Sequence, residues 1–531
     1  MSTLTDSPAQ PVRRRLSGDT VLLGIAAIWL LIFSWIRPLT LPDEGRYTGV
    51  AWDMLRHGDL STPLLDGMPY FHKPPLFYWL DAISMHVFGM NEWAVRLPAA
   101  LGAWLALFST YAFVRRNHSV ASARVTVLVL ATMPLFFGAA QFANLDMLVA
   151  GLISACVLAG ADAVLRRARG ESWRSMSALA GALAGLGLLA KGLIGVVLPG
   201  GILFFWLIMR RDGKGFKTLL WPPTLLAFAV VAVPWCWMMQ VRYPEFFQYF
   251  FIYQHFQRFA GAGFNNPQPW LFYVPVLFGT ALPWTLWGLK LFRKPFWKAA
   301  DPNGVRRLMA LWGLVVLVFF SIPASKLVGY ILPALPPLAF LLAEVVREAV
   351  ERDGPNSVRY AKRASITFVA AVVCCLVTLV VATVSTTQRS SKPLGLAMRE
   401  AAGAQDTLVM LHAYAFDLPF YARHRRPAWV VDNWDDPAIP RTDSWRKELL
   451  DASGFDPSVK VLVSADEWKR RVCEGPTGAS YWVWGEAQDA SRYPLLAGIA
   501  PVASTRRNVL WHLQADAAFK QRVCGGTPTG G

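Results

Sequence analysis

Apolar runs of roughly 15 to 22 residues recur between residues 21 and 385, close to the ~18–20 residues that cross a bilayer core. Eleven segments fit, near 21–37, 97–114, 124–140, 146–165, 176–190, 192–209, 218–239, 271–289, 308–322, 330–346 and 364–385, with Lys191-Gly192 splitting the 176–209 region. A chain built this way is expected to be a polytopic α-helical membrane protein of about 11–13 spans. Only 16% of its 531 residues are charged, against about a quarter in soluble proteins. The first run, "VLLGIAAIWLLIFSWI", follows Arg13, Arg14 and Arg15 and has no small-residue cleavage site after it. It reads as a retained span rather than a signal peptide.

The formal charge of +17 raises the question of a nucleic-acid partner. Its distribution argues otherwise. Basic clusters such as Arg115/Arg116, Arg166/Arg167/Arg169, Arg210/Arg211 and Arg359/Lys362/Arg363 fall between apolar runs. Placed on one side with Arg13–Arg15, they give that face roughly 25 Lys/Arg and the other about nine, as the positive-inside rule expects. Residues 1–20 are then cytoplasmic, residues 21–385 form the membrane domain, and residues 386–531 lie on the outer face. Long outer loops cover 38–96 and 240–270.

The first outer loop carries two helical patterns, one from Pro42 to Gly58 and one starting at Pro74-Pro75. Their many aromatic residues suggest helices along the membrane surface. The tail has short strand-like runs, "TLVMLHAY", "AWVVDNW", "VKVLVSA" and "SYWVWGEA", and is long enough for a small α/β domain. Cys473 and Cys524 are its only cysteines, on the side where a disulfide is permitted.

Charged residues embedded in apolar sequence are costly and point to function. In "LPDEGRY", directly after the first span, Asp43, Arg46 and Tyr47 stand at i, i+3 and i+4 on one helix face, beside Glu44. The bland alternatives are that Asp43 caps the helix and that the basic residues snorkel to the interface. Further polar groups gather at outer mouths: Lys73 in "YFHKPPL", Asp146 in "QFANLDML", Lys191 in "LLAKGL", and Lys326 and Tyr330 in "SKLVGYILPALPP". Cations concentrated there suit a phosphate held at the membrane surface, and the carboxylates suit acid/base work beside it.

The ordered motifs "LPDEGRY", "MLRHGD", "YFHKPPLFYWL", "NEWAVRLP", "FANLDM", "LAKG", "QHFQRF" and "SKLVGYILPALPP" resemble the lipid A aminoarabinose transferases. These are relatives of protein O-mannosyltransferases within the C-type glycosyltransferase superfamily. The resemblance covers roughly residues 38–340. It implies the C-type fold and an inverting enzyme of the bacterial inner membrane, active at the periplasmic face, that takes sugar from a polyprenyl-phosphate donor. The best match for the sugar is 4-amino-4-deoxy-L-arabinose, passed to lipid A or another envelope acceptor among membrane lipids. Carried onto this chain, Asp43 is the catalytic carboxylate, with Glu44 and Asp146 completing the acidic set. Arg46, Tyr47, Lys73, Lys191 and Tyr330 surround the lipid phosphate, with Lys326 nearby. The family usually has Glu before the "KPP" lysine, where this chain has His72. Members can hold a divalent metal near that Glu and the loop His, here His255. His72 and His255 could bind such a metal or be ordinary interfacial histidines.

No nucleotide is expected as cofactor, and no nucleic acid as partner. Cations would stabilise the charge growing on the leaving phosphate. Asp43 could deprotonate a hydroxyl acceptor, or orient an already anionic one. Two other readings remain open: a protein O-mannosyltransferase or similar enzyme with a hydroxyl acceptor, and a lipid or sugar transporter. The transporter would place its charges near the midplane, whereas these sit at the outer mouths.

Overall fold

Prolines, glycines and short polar turns cut the apolar runs into helices of unequal length. The structure, a computed structural model, describes residues 17–257, 266–299, 301–352 and 356–525, with the side chains at 255–257, 302 and 352 outside the description. The chain is a polytopic helical membrane protein with a C-terminal α/β domain. Among the described residues, five helices are long and apolar enough to cross a membrane: Glu92–Asn117, Leu145–Ala168, Gly213–Arg242, Val328–Glu351 and Ser357–Thr387. A sixth arises if Val120–Ala131 and Pro134–Ala140, bent by 70° at the intervening turn, count as one span.

The count is lower than the eleven expected because an apolar run need not be one helix. The first run yields only Gly18–Leu31. Gly192, with φ +75°, separates Arg174–Lys191 from Ile194–Arg210 at the split seen in the sequence. The 271–289 run breaks into Tyr273–Thr280 and a 3-10 segment from Trp284.

Close backbone approach holds the centre of the bundle together. A Cβ built on Gly151 would sit 2.1 Å from the carbonyl oxygen of Gly102. Only glycine at both positions lets helices Glu92–Asn117 and Leu145–Ala168 cross at that distance, the small-residue contact that membrane helices use. Helix Ser357–Thr387 instead presents Ile366, Val369, Val373, Val377, Val380 and Val384 outward, as a lipid-facing surface requires.

The first outer loop folds as helix Asp43–His57, the hairpin of β1 (Leu64–Leu65) and β2 (Met68–Pro69), and helix Leu76–Phe88. Asp66 and Gly67, at φ 54° and 80°, make the two-residue hairpin turn. Gly58, at φ 73°, ends the first helix and donates its N–H to the carbonyls of Met54 and Leu55. That helix does not lie open on the membrane surface. The C-terminal domain covers it: Trp52 Nε1 donates to the His424 carbonyl at 3.0 Å, and Arg56 to that of Arg426 at 2.9 Å. Helix Leu76–Phe88 does keep an exposed apolar face, Ile83, Val87 and Phe88.

The tail forms a six-stranded sheet in the order β5-β4-β3-β6-β8-β7. Its strands are β3 (Thr407–Leu411), β4 (Trp429–Val431), β5 (Leu462–Val463), β6 (Ala479–Glu486), β7 (Pro501–Ser504) and β8 (Asn508–Ala515). The first four are parallel and the β7–β8 hairpin is antiparallel. The four strand-like runs of the sequence are β3 to β6, and the β7–β8 hairpin is not among them. Period-two alternation divides the sheet's side chains between two cores. Val409, Leu411, Tyr481 and Val483 pack with Trp468 and Phe519 of the tail's own helices. Leu408, Met410, Trp482 and Trp484 join the core shared with the membrane helices.

Cys473, in helix Ala465–Glu474, is bonded to Cys524, the last residue of helix Ala517–Cys524, with Cα atoms 5.7 Å apart. The bridge closes a loop of 51 residues. Replacing both cysteines by serine is expected to destabilise the C-terminal domain by about 2–4 kcal/mol through the freer unfolded chain. Thermal unfolding of the purified variant checks this, and an unchanged midpoint contradicts it.

Candidate active site

Helix Asp43–His57 starts without a side-chain cap, because Pro42 occupies the N-cap position. The Asp43 carboxylate is therefore not spent on capping. It faces Arg46 one turn on, at 2.8 Å from Nη2, and is 39% exposed, the most open member of the group. Burial raises the Asp43 carboxyl above its ordinary pKa against the pull of Arg46, and the Asp146 charge raises it further. Tyr47 is buried, with Arg46 5.9 Å from its ring centroid.

A second group sits at the mouths of neighbouring helices. Asp146 lies in the first turn of Leu145–Ala168, whose N-cap is Asn144. It pairs with Lys191, the last residue of Arg174–Lys191. The Lys191 ammonium lies 4.3 Å from the Tyr330 ring centroid, and Asp43 also acts on it electrostatically. Gly329 leaves room for this pair: a Cβ there would come within 2.8 Å of Asp146 Oδ2. Asp43, Arg46, Tyr47, Asp146, Lys191 and Tyr330 thus form one cluster in reach of each other's charge. Lys73 is half-buried in the turn before helix Leu76–Phe88.

Two expected members have other partners. Glu44, one residue from Asp43, is fully buried and bound by Arg37 and Arg96 on both oxygens, with the N–H groups of Thr40 and Ala143 added at 2.8 and 2.7 Å. Burial alone would raise its pKa, yet the two guanidiniums hold it well below the carboxylate range. Glu44 is a structural carboxylate, because every lone pair that could serve a substrate is taken. Lys326 is buried too, and its ammonium donates to the carbonyls of Gln268 and Pro323 at 3.0 and 2.5 Å. It ties an outer-loop segment down.

The contribution from the C-terminal domain is not signalled by any motif in the sequence. Helix Trp445–Phe455 lies across both outer loops. Glu448 pairs with Arg46 Nη1 and accepts the Tyr70 hydroxyl at 3.0 Å. Asp451 accepts from Tyr249 at 3.0 Å, pairs with Lys447 at 3.1 Å and stands 3.9 Å from His72 Nε2. Phe455 packs edge-on against Phe71 and Tyr249. Carboxylates at i and i+3 in "KELLD" were the available signal, but the pattern is common on solvated helices.

As for a metal, His72 stacks on Tyr70, rings 4.7 Å apart, with Asp451 as its near carboxylate. The His255 side chain lies outside the described residues. Among the described residues no three His, Cys, Asp or Glu side chains converge. That falls short of the three or four protein ligands a zinc-type site uses, and no chemistry is assigned to a metal.

A family model described as dolichyl-phosphate-mannose-protein mannosyltransferase matches residues 72–237. An undecaprenyl phosphate-alpha-4-amino-4-deoxy-L-arabinose arabinosyl transferase of Pseudomonas fluorescens is 32% identical over 335 residues, 63% of this chain and 60% of that protein. One of the same description from Erwinia tasmaniensis is 33% identical over 60% of this chain and 57% of its own. The chain thus spans somewhat under two thirds of these curated relatives. In fold, it matches the crystal structure of ArnT from Cupriavidus metallidurans bound to undecaprenyl phosphate, with a TM-score of 0.79 at 22% identity over 94% of this chain and 98% of that one. The archaeal oligosaccharyltransferase AglB of Archaeoglobus fulgidus is more distant, with a TM-score of 0.53 at 13% identity over 88% of this chain and 69% of that one. In sequence the chain is thus similar to curated aminoarabinose transferases over 60–63% of its length, and its fold is the one seen in ArnT of Cupriavidus metallidurans.

Proposed function

We propose that this protein transfers 4-amino-4-deoxy-L-arabinose from undecaprenyl phosphate to lipid A or another envelope acceptor, at the periplasmic face of the bacterial inner membrane. The observation that carries the reading is the cluster itself: one accessible carboxylate, Asp43, set among the cations Arg46 and Lys191 at the mouths of apolar helices. The curated relatives act on this donor by name, and ArnT of C. metallidurans binds undecaprenyl phosphate.

The acceptor oxygen attacks the anomeric carbon, the bond from that carbon to the carrier phosphate breaks, and the phosphate leaves with the electron pair. Arg46, Lys73 and Lys191 oppose the negative charge that grows on the phosphate. This is most effective where water is scarce. Asp43 takes the proton of a hydroxyl acceptor, or orients an acceptor phosphate that is already ionised.

The test is transfer by purified protein in lipid nanodiscs, read by mass spectrometry of the acceptor. Lys191→Ala is expected to weaken binding of undecaprenyl phosphate by about tenfold or more, the scale of one lost charge-assisted contact. Replacing Arg210 and Arg211, at the other end of helix Ile194–Arg210, should leave it unchanged. Equal losses in both variants would reduce the site to general membrane electrostatics.

A further inference from the structure

Arg46 already carries two carboxylates, Asp43 from its own helix and Glu448 from the C-terminal domain. Its side chain is only 18% exposed and that of Glu448 10%, so this balance is struck away from bulk water. Lys191 is matched by Asp146, and Lys447 by Asp451. Counting Lys73, the group of Arg46, Lys73, Asp43 and Glu448 is electrically neutral. A donor phosphodiester entering that group adds one negative charge. Leaving an extra charge uncompensated in a poorly hydrated site is costly.

We propose that Glu448 is a specificity-determining residue that recognises the amino group of the donor sugar. The proposal rests on the function given above. Glu448 occupies Arg46. When the donor phosphate takes Arg46, the carboxylate passes to the sugar ammonium, a few ångströms from that phosphate. One ion pair, Arg46 with Glu448, is exchanged for two, Arg46 with phosphate and Glu448 with ammonium. The group ends as neutral as it began. A sugar with a hydroxyl in place of the amine offers no cation, and Glu448 is then left facing phosphate. Discrimination therefore comes from the repulsion of the wrong donor as much as from attraction of the right one. The placement supports this role. Tyr70 donates to Glu448 from the hairpin side at 3.0 Å, and Lys447 and Asp451 anchor the same helix to Tyr253 and Tyr249 of the second outer loop. The carboxylate is thus held on Arg46, whose other partner is Asp43.

The experiment compares wild type, Glu448→Gln and Glu448→Asp in nanodiscs with three ligands: undecaprenyl phosphate, the aminoarabinose donor, and a donor whose sugar carries a hydroxyl instead. For Glu448→Gln, kcat/KM with the amino donor should fall by about 10- to 100-fold, as for a lost charged contact to substrate. Its value with the hydroxyl donor should rise, because the repelling carboxylate is gone, so that the preference disappears. Affinity for undecaprenyl phosphate alone should hold or rise, since the competing carboxylate is gone. Glu448→Asp should keep the amino preference. A parallel fall with both donors and with the bare carrier would mean a structural role and overturn the proposal, as would an unchanged preference. If Glu448→Gln does not fold, amide exchange across Trp445–Phe455 in the wild type decides: it should be faster with the hydroxyl donor than with the amino donor, and equal rates overturn the idea. A wild type that neither binds the carrier nor transfers sugar would sink the proposed function instead.

Discussion

Asp43→Asn is expected to lower turnover by about 10²- to 10⁴-fold, the contribution of a positioned general base or an equivalent orienting carboxylate. The fold should survive. Asp43 is 39% exposed, its one ion pair is with Arg46, and a half-exposed pair contributes at most about 1 kcal/mol. Asparagine still presents an oxygen to Arg46 Nη2. Undecaprenyl phosphate should bind within about threefold of wild type, because the cations that meet it are untouched. The pH profile adds a second check. The Asp43 carboxyl is raised above its ordinary value by burial and by Asp146, and a base works only when deprotonated. The wild-type rate should therefore rise with pH through an acid limb lying above pH 3.8, and the residual rate of Asp43→Asn should lack that limb. Normal turnover by a folded variant would return Asp43 to a merely electrostatic partnership with Arg46.

How far the sequence could be read follows from the range of the interactions. Asp43 and Arg46 were legible because their contact is local: three residues apart on a helix puts them on one face, and they meet at 2.8 Å. Asp43 and Glu44 looked equivalent because sequence adjacency says nothing of direction. Successive helical residues point about 100° apart, which sends Glu44 inward to Arg37 and Arg96 and leaves Asp43 at the mouth. The pairing of Arg46 with Glu448 spans 402 residues, and no local pattern encodes it. The spans show the same limit. Hydropathy located the apolar segments, but Gly192 and the proline-containing turns decide which of them continue as one helix. The parallel strands stood out as solid apolar runs. β8, with Asn508, His512 and Gln514 among its residues, pairs antiparallel between β6 and the edge strand β7 and did not.

Glu44→Gln is expected to destabilise the protein by about 3–5 kcal/mol, the range for breaking a buried ion pair by removing one partner. The Glu44 side chain is 0% exposed, as is that of Arg96, and Arg37 is 5% exposed. Its two oxygens tie three segments to its own helix: Arg37 and Thr40 after the first helix, Arg96 of Glu92–Asn117, and Ala143 in the turn before Leu145–Ala168. The guanidiniums are also ringed by carbonyls, those of Ser34, Arg37 and Pro38 around Arg96 and that of Gln141 on Arg37. Carbonyl dipoles orient two cations but do not neutralise them, and among the described residues Glu44 is the carboxylate that pairs with both. An amide removes that charge and turns an NH₂ group toward an arginine that can only donate. The consequence should reach the active site indirectly, because Glu44 fixes the start of the helix that carries Asp43 and Arg46. The measurement is the midpoint of thermal unfolding in detergent, together with the yield of monodisperse protein. Glu44→Gln should lose both, while Asp43→Asn keeps both. A Glu44→Gln protein that melts like wild type but fails to turn over would make Glu44 a catalytic group after all, and would require Arg37 and Arg96 to be read as its activators.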